Sequence, residues 1–583
     1  MRTRTYGWIQ NPSDFQKLKI VTQIFNSNSR HYNDLKNHII KDQIIYFDDI
    51  KRNLMYKFNN SITEFSYIEL VGTSKNKYNK SPKKRSDAEA NALIQISILP
   101  QNAKTKGKLY TDNWTSDGYL RWAVSLNFLK VDREHDTFSL TKLGKSFSET
   151  KDNSKEEHEI LKNALLAYPP AVQVLKILNE DNQYHTKFYI GDQLGFRGEK
   201  GFTSYDQEVM TDWLKKTSNL KEFKSIKSDV EGTSDKYARM ICNWLKKIGL
   251  VQRSNSKVIF QGEEKSGFPI YGLTKAGRYE YNHTQGYGSS KGPIKEKYIM
   301  WEFLATELSN RDYVRTRRGL ILKYIQKTKS FNELVDMLGK KGFNDDPEII
   351  ENDIKGLNTF GLNIDKTDDL LIFNDTINDF EIPNISVTQT MEDEANSRIK
   401  AKFIKLTNLP IKYIELLDIA YNPKRNRDFE IITTELFKYE YGFNAIHLGG
   451  GRKPDGVVFN SKFGIIVDTK AYSKGYSKNI TEADKMIRYI EDNKKRSKRR
   501  NPNIWWNEFD SRIPEDNFYF LWVSSKFVGR FDEQLSYTAS QTNTTGGALN
   551  VEQLLLGADA IRKGKIAKEE IPNYLNNREV KFI

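Results

Sequence analysis

Near the C-terminal end of this 583-residue chain, Asp455, Asp468 and Lys470 have types and spacing that suit metal-assisted hydrolysis of a phosphate ester. They lie in the segment HLGGGRKPDGVVFNSKFGIIVDTKA, residues 447–471. Gly456–Phe459 and Gly464–Val467 are short apolar runs bounded by turn formers, which predicts an antiparallel hairpin turning at Ser461-Lys462. In that register Asp455 faces Asp468, with Cβ atoms roughly 5 Å apart. Two carboxylates so close repel each other unless a cation lies between them. Hard oxygens suit Mg2+, which takes few protein ligands and keeps several waters. Lys470, two residues beyond Asp468, shares its face of the strand. Thr469 is expected to point to the other side and to offer its backbone carbonyl as a further ligand. The metal would acidify a bound water, and the lysine would position or deprotonate the nucleophile and add positive charge. Asp-x-Lys alone is common in a charged chain; after Pro-Asp and a buried-type strand it is much more specific. The tract Gly449–Lys453 lacks the Ser/Thr and helix of a phosphate loop. It is expected to be a flexible approach to the hairpin, with Arg452 or Lys453 near a DNA backbone.

The rest of the chain must deliver a polyanion to those residues. It carries 91 Lys+Arg against 76 Asp+Glu, a net charge of +15, which favours a nucleic-acid partner. The N-terminus has no apolar core of a signal peptide, and no uncharged apolar run is long enough to span a bilayer, so a soluble cytoplasmic chain without membrane contact is expected. One cysteine, Cys242, excludes a disulfide framework and a Cys-rich zinc site and reads as a small core residue.

Two motifs recur in the same order. SDGYLR at 116–121 returns as SDKYAR at 234–239, and LTKLGK at 140–145 returns as LTKAGR at 273–278. In the second copy Ser234 or Asp235 is the expected N-cap. Tyr237, Ile241, Trp244, Leu245 and Ile248 then form one buried helical face, while Lys236, Arg239 and Asn243 point away. Strand-like runs follow near 250–251, 257–260 and 269–271. Helix followed by hairpin is the pattern of a winged helix. The first copy agrees, with a helix near 119–128 and strands at 128–131 and 137–140. A third copy at 349–373 has an acidic helix, which suits packing against protein rather than phosphate. Basic residues on the free helix faces can reach phosphates and guanine edges, and the stretch SKNKYNKSPKKR at 74–85 suits phosphate contact.

The segments HLGGGRKPDG, GIIVDTKAYSKGY and EADKMIRYIEDN resemble the cleavage domain of the FokI-like type IIS restriction endonucleases, members of the PD-(D/E)XK superfamily. YGWIQNP, DNWTSDGYLRWA, KFYIGDQLGFRGEKGFTS, EGTSDKYARM and DYVRTRRGLIL resemble their recognition region, so nearly the whole chain is covered. The resemblance implies a multidomain α+β chain: three winged-helix-like DNA-recognition subdomains, then an α/β restriction-endonuclease-like nuclease domain. The corresponding boundaries are 1–152, 153–285, 286–380, a linker at 381–396, and 397–583. It implies Mg2+ catalysis by Asp455, Asp468 and Lys470. It also implies a nuclease that stays docked until double-stranded DNA is bound and then forms a transient homodimer. Asp484 and Arg488, one turn apart on the helix Thr481–Asn493, would exchange salt bridges across a two-fold axis, although an intrahelical pair is the plainer reading of that spacing.

For DNA binding the resemblance assigns Gln10, Asn11, Arg85 and Trp114 to the first subdomain and Glu231, Lys236 and Arg239 to the second. Before Glu231 this chain has Ser228-Asp229-Val230 where the family pattern has asparagines and a tryptophan, so an altered or relaxed version of a GGATG-type asymmetric site is expected. The basic run KKRSKRR at 494–500 suits either a DNA-backbone contact or a solvated loop. A separate cognate methyltransferase is the expected companion, since no methyltransferase signature occurs in the chain. Two other readings stay open at this point: a DNA-binding regulator with an incidental carboxylate hairpin, and a repair nuclease with the same catalytic core.

Overall fold

The computed structural model describes residues 9, 12–40, 48–73, 92–98, 113–195, 204–285, 295–306, 310–477 and 479–582. Gln10, Asn11, Arg85 and the lysine-rich stretch 74–85 lie outside them. No helix among the described residues is long and apolar enough to cross a membrane.

The sequence repeat is a structural repeat. In the first copy helix α1 (Asn113–Ser125) leads into β2 (Leu129–Asp132), β3 (Thr137–Leu140) and helix α2 (Lys142–Glu149), and β1 (Phe65–Ser66) completes the sheet in the order β1-β3-β2. In the second copy helices α3 (Gln207–Lys215) and α4 (Leu220–Thr233) precede α5 (Lys236–Lys247). There β4 (His185–Thr186), β5 (Val251–Phe260) and β6 (Glu263–Leu273) repeat the sheet in the order β4-β6-β5, followed by helix α6 (Lys275–Thr284). The three short strand runs of the sequence are thus one long hairpin, with a bulge between Asn255 and Lys257. The first helix ends at Ser125, three residues before Phe128, because Asn127 takes a left-handed conformation (φ 57°) that stops it.

The LTK-x-G motif has a physical reason. Thr141 and Thr274 are N-caps whose hydroxyls accept the N–H of Gly144 (3.0 Å) and Gly277 (2.9 Å). The same hydroxyls donate to the carbonyls of Asn127 (2.6 Å) and Gly249 (2.8 Å), with those of Phe128 (3.2 Å) and Leu250 (3.0 Å) next to them in the turn before the strand. Each helix therefore presses its first turn onto that backbone. A Cβ on Gly144 or Gly277 would meet the Phe128 or Leu250 oxygen at 1.9 or 2.0 Å.

The helix α5 shows the expected apolar face: Tyr237, Ile241, Trp244, Leu245 and Ile248 are all buried, and Cys242 is buried with them. Its start differs from expectation. Asp235 precedes the helix in a left-handed conformation (φ 42°) and makes no capping bond; its carboxylate accepts from Ser204 Oγ instead. Burial pushes that carboxyl up to about 7. The third copy has helix α7 (Arg311–Tyr324), α8 (Pro347–Phe360), β7 (Ile364–Thr367) and β8 (Leu370–Phe373). Its acidic helix packs inward: Asp353 pairs with Arg317 (2.6 Å) and Arg318 (2.8 Å), and Thr359 Oγ1 donates to the Gly195 carbonyl (2.6 Å).

Residues 381–390 are irregular, and helix α9 (Met391–Leu406) starts inside the stretch read as linker because Thr390 caps it and three acids fill its first turn. The nuclease part follows with α10 (Asn426–Tyr439), β9 (Asn444–His447), β10 (Gly456–Phe459), β11 (Gly464–Lys470), β12 (Tyr476–Ser477) and α11 (Ile480–Lys495). It ends with β13 (Phe518–Ser524), β14 (Phe527–Val528), α12 (Phe531–Thr542), β15 (Gly546–Asn550), α13 (Val551–Arg562) and β16 (Arg578–Glu579). Six strands form one mixed sheet, β16-β15-β13-β11-β10-β9, antiparallel from β9 to β11 and parallel beyond. Both faces are covered, which is why GIIV reads as a continuous apolar run. Ile465 and Val467 join the cluster containing Leu436 and Leu554, while Val457 and Ile466 join the one containing Met486, Tyr489 and Trp522.

Gly277→Ala and Gly144→Ala are each expected to destabilise the protein by about 1–3 kcal/mol through this overlap. Denaturant unfolding checks it, and unchanged midpoints for both would remove the proposed reason for the repeat.

Candidate active site

The hairpin turns where the sequence places it. Gly456 pairs with Val467 and Phe459 with Gly464, so the next pair outward is Asp455 and Asp468. Asp455 follows Val457 in the pleat and Asp468 follows Ile466, which puts both acids on the α11 side of the sheet. Lys470 shares that side, with Nζ 2.5 Å from Asp468 Oδ2 and 5.6 Å from the centre of the Trp522 ring.

Thr469 also holds Asp455. Its N–H donates to Asp455 Oδ2 at 2.7 Å and its hydroxyl donates to the same oxygen at 3.1 Å. Asp455 lies one residue before β10, so its carboxylate folds over the Thr469 backbone and meets the side chain there.

Burial and like charge dominate the electrostatics of the site. Asp468 is 5% exposed, and burial followed by repulsion from Asp455 pushes its carboxyl up to about 8. Burial pulls the Lys470 ammonium down, but Asp468 and Asp455 outweigh it and hold it above its ordinary value. Glu430 on α10 belongs to the same cluster: burial and then Asp455 push it up to about 8. Nothing in the spacing of NRDFEIITTEL marks that glutamate, since it reaches the site from a helix rather than the hairpin. Glu482 was likewise not singled out, and Lys470 Nζ lies 3.4 Å from it. Among the described residues no group of three or more His, Cys, Asp or Glu side chains is arranged to hold a metal ion. Two adjacent carboxylates fit a hard divalent cation that keeps most of its water.

The glycine tract is pinned rather than free. Trp213 of α3 donates from Nε1 to the Leu448 carbonyl (3.0 Å) and stands edge-on to His447 (4.8 Å between rings). Lys453 is buried and pairs with Glu222 of α4 at 2.9 Å, so in this arrangement it is not available to a DNA backbone. Arg452 remains exposed. Burial pulls His447 down to about 3, so it is neutral at this contact. Ile431 of α10 is enclosed by Phe188, Val209, Trp213 and Phe223. Asp229 pairs with Arg427 of α10 at 2.7 Å.

The remaining expected residues lie apart from this centre. Trp114 is 50% exposed with the Arg121 guanidinium 5.8 Å from its ring centre. Lys236, Arg239 and Glu231 are half-buried, with Arg239 donating to the Glu231 carbonyl and Lys187 Nζ 3.5 Å from Glu231 Oε1. Asp484 and Arg488 are both exposed on α11 and form no ion pair with each other. In the basic run, Arg500 pairs with Asp492 (2.7 Å) and Lys494 bonds the Thr542 carbonyl, while Lys498 and Arg499 are exposed.

Winged-helix-like modules in series, followed by a mixed-sheet domain with this acid pair at a strand end, define a modular restriction endonuclease. Family models described as FokI recognition domain subdomain 1, subdomain 2, the D3 domain and the cleavage domain match residues 4–150, 157–289, 304–369 and 393–581. The chain is 40% identical to the type II restriction enzyme FokI of Planomicrobium okeanokoites, covering 100% of both. It is 30% identical to the type II restriction enzyme StsI of Streptococcus sanguinis, covering 91% of this chain and 88% of that one. Solved structures of restriction endonuclease FokI, alone and bound to DNA, superpose with TM-scores of 0.88 and 0.89 at 38% identity over 100% of each chain. The chain belongs to the FokI family of type II restriction enzymes.

The titration of Asp468 has a sign. A carboxyl ordinarily near roughly 3.9 and pushed up to about 8 is protonated in the folded chain where the unfolded chain has released its proton. Without divalent ions, stability therefore falls as pH rises through that window. Asp468→Asn is expected to flatten this slope, each kcal/mol moving the unfolding midpoint by about 2–4 °C. A divalent cation should restore the wild type at high pH and leave the variant unmoved; parallel pH profiles would count against the acid-pair reading.

Proposed function

We propose that this chain is a type IIS restriction endonuclease that binds an asymmetric double-stranded DNA site and hydrolyses both strands outside it. The observation that carries the reading is the adjacent pair of half-buried Asp455 and buried Asp468 with Lys470 beside it. Asp455 and Asp468, with the Thr469 carbonyl, would hold Mg2+, which supplies a water acidified for attack and positive charge against the transition state. Thr469 fixes one oxygen of Asp455 through its N–H and hydroxyl, which orients the carboxylate without any ligand. Lys470 keeps its proton and places an ammonium where negative charge develops.

Specificity comes from other elements. The subdomains are assigned to 1–152, 153–285 and 286–380, the linker to 381–396 and the nuclease to 397–583. Gln10, Asn11, Arg85 and Trp114 read or position DNA from the first subdomain, and Glu231, Lys236 and Arg239 from the second. The third holds protein surfaces together. The contacts of Trp213, Glu222 and Asp229 with the nuclease keep it docked until DNA competes for the second subdomain. Released nuclease domains pair through α11, with Asp484 of one facing Arg488 of the other. A separate methyltransferase protects the host site.

Asp455→Ala is expected to lower cleavage of duplex DNA by about 10²–10³-fold or more while site binding persists. Mapping wild-type cut ends should reveal a common sequence at a fixed distance; ends without one would favour a repair nuclease, and no cutting with Mg2+ would favour a DNA-binding regulator. For the dimer, Asp484→Arg and Arg488→Asp should each cut poorly alone and recover when mixed. Full activity of either single variant would dismiss that contact.

A further inference from the structure

Lys470 has two acidic neighbours. Its Nζ lies 2.5 Å from Asp468 Oδ2 and 3.4 Å from Glu482 Oε2. Glu482 arrives from the first turn of α11, and that turn is tied down. Asn479 caps it by accepting the Glu482 N–H at 3.2 Å, and the Asn479 N–H donates to Gln534 Oε1 of α12 at 2.6 Å. The second carboxylate oxygen of Glu482 takes Lys485 at 2.5 Å. The Glu482 and Lys470 side chains are 16% and 18% exposed, so their contact is poorly screened by water.

A lysine reaches its target through a flexible four-carbon stem, and one anchor leaves the ammonium free to swing. Of its two partners, Asp468 belongs to the acid pair whose charge a cation would engage. Glu482 stands outside that pair and is the carboxylate left to hold the ammonium. Its helix is also the one that carries Asp484 and Arg488.

We propose that Glu482 is a positioning residue for DNA cleavage: its carboxylate fixes the Lys470 ammonium at the reacting phosphate and ties it to the exposed helix α11. The proposal rests on the nuclease reading above. The plainer role for Glu482 is an i,i+3 pair with Lys485, worth only about 0.2–0.5 kcal/mol, and variants of the two residues separate these roles.

The full-length protein is compared as wild type, Glu482→Ala, Glu482→Gln and Lys485→Ala. Glu482→Ala should lower the single-turnover cleavage rate of a duplex carrying the site by about 10–100-fold, the scale of a displaced catalytic group, with DNA affinity unchanged. Glu482→Gln, which keeps an acceptor oxygen, should recover part of the rate. Lys485→Ala breaks only the helix pair and should cut at the wild-type rate. A second readout needs no cleavage: in metal-free protein treated with acetic anhydride, mass spectrometry should find Lys470 acetylated several-fold faster in Glu482→Ala and unchanged in Lys485→Ala. Wild-type cutting by Glu482→Ala, an equal loss in Lys485→Ala, or unaltered Lys470 acetylation would each overturn the positioning role while leaving the nuclease reading intact. A wild type that leaves duplex DNA uncut with Mg2+ would overturn the nuclease reading, and this proposal with it, even if the acetylation contrast persisted.

Discussion

Two acids on one face of a strand pair that is buried on both sides repel each other with little water to screen them. The sheet imposes that closeness. Val457 and Ile466 face one apolar cluster, Val458 and Ile465 the other, and the pleat then leaves Asp455 and Asp468 adjacent at the strand end. Moving the two backbone positions apart would break the register that buries the valines and isoleucines. The consequences radiate outward. Asp468 is pushed up to about 8, Lys470 keeps its proton, and Asp455 is held by the Thr469 backbone. Such a site is poised for a cation by the same pairing that makes it stable.

Ordinary contacts join the second winged-helix-like module to the loop that enters the hairpin. The Trp213 indole bonds Leu448 seven residues before Asp455, and Glu222 neutralises Lys453 two residues before it. Ile431 adds an apolar plug on the helix that also carries Glu430. Each hydrogen bond contributes only about 0.5–1.5 kcal/mol, and the release proposed above requires DNA to favour the undocked arrangement by more than their sum.

The sequence made some of this legible and hid the rest for definite reasons. The hairpin could be placed because its turn residues and apolar runs fix one register, and a slip by one residue would expose every valine. The repeat could be placed because Thr in LTK-x-G caps the following helix and Gly leaves room for its close approach to backbone. Glu430 and Glu482 stayed hidden because they reach the acids from helices, through tertiary approach rather than spacing. Lys453 misled because a lysine in a glycine-rich tract looks solvent-bound, and its burial depends on a glutamate far away in the chain. The left-handed Asp235 was also illegible: a Ser-Asp pair before an amphipathic helix has the signature of a cap, and only Ser204 beside it shows where the carboxylate goes.

Asp229 joins the two halves of this logic. It lies two residues before Glu231 and seven before Lys236, both proposed to contact DNA, and its carboxylate is spent on Arg427 of the nuclease. An acid at that point repels phosphate and attracts arginine, so under the function proposed above it bears on both DNA contact and docking. The pair is half-exposed, and such pairs contribute only about 0.2–1 kcal/mol. Its weight therefore lies in position rather than in strength. Arg427 is three residues from Glu430 on the same face of α10, so whatever draws Asp229 away from it also alters the field around Asp455 and Asp468. In the proposed function, recognition and restraint thus meet on one surface.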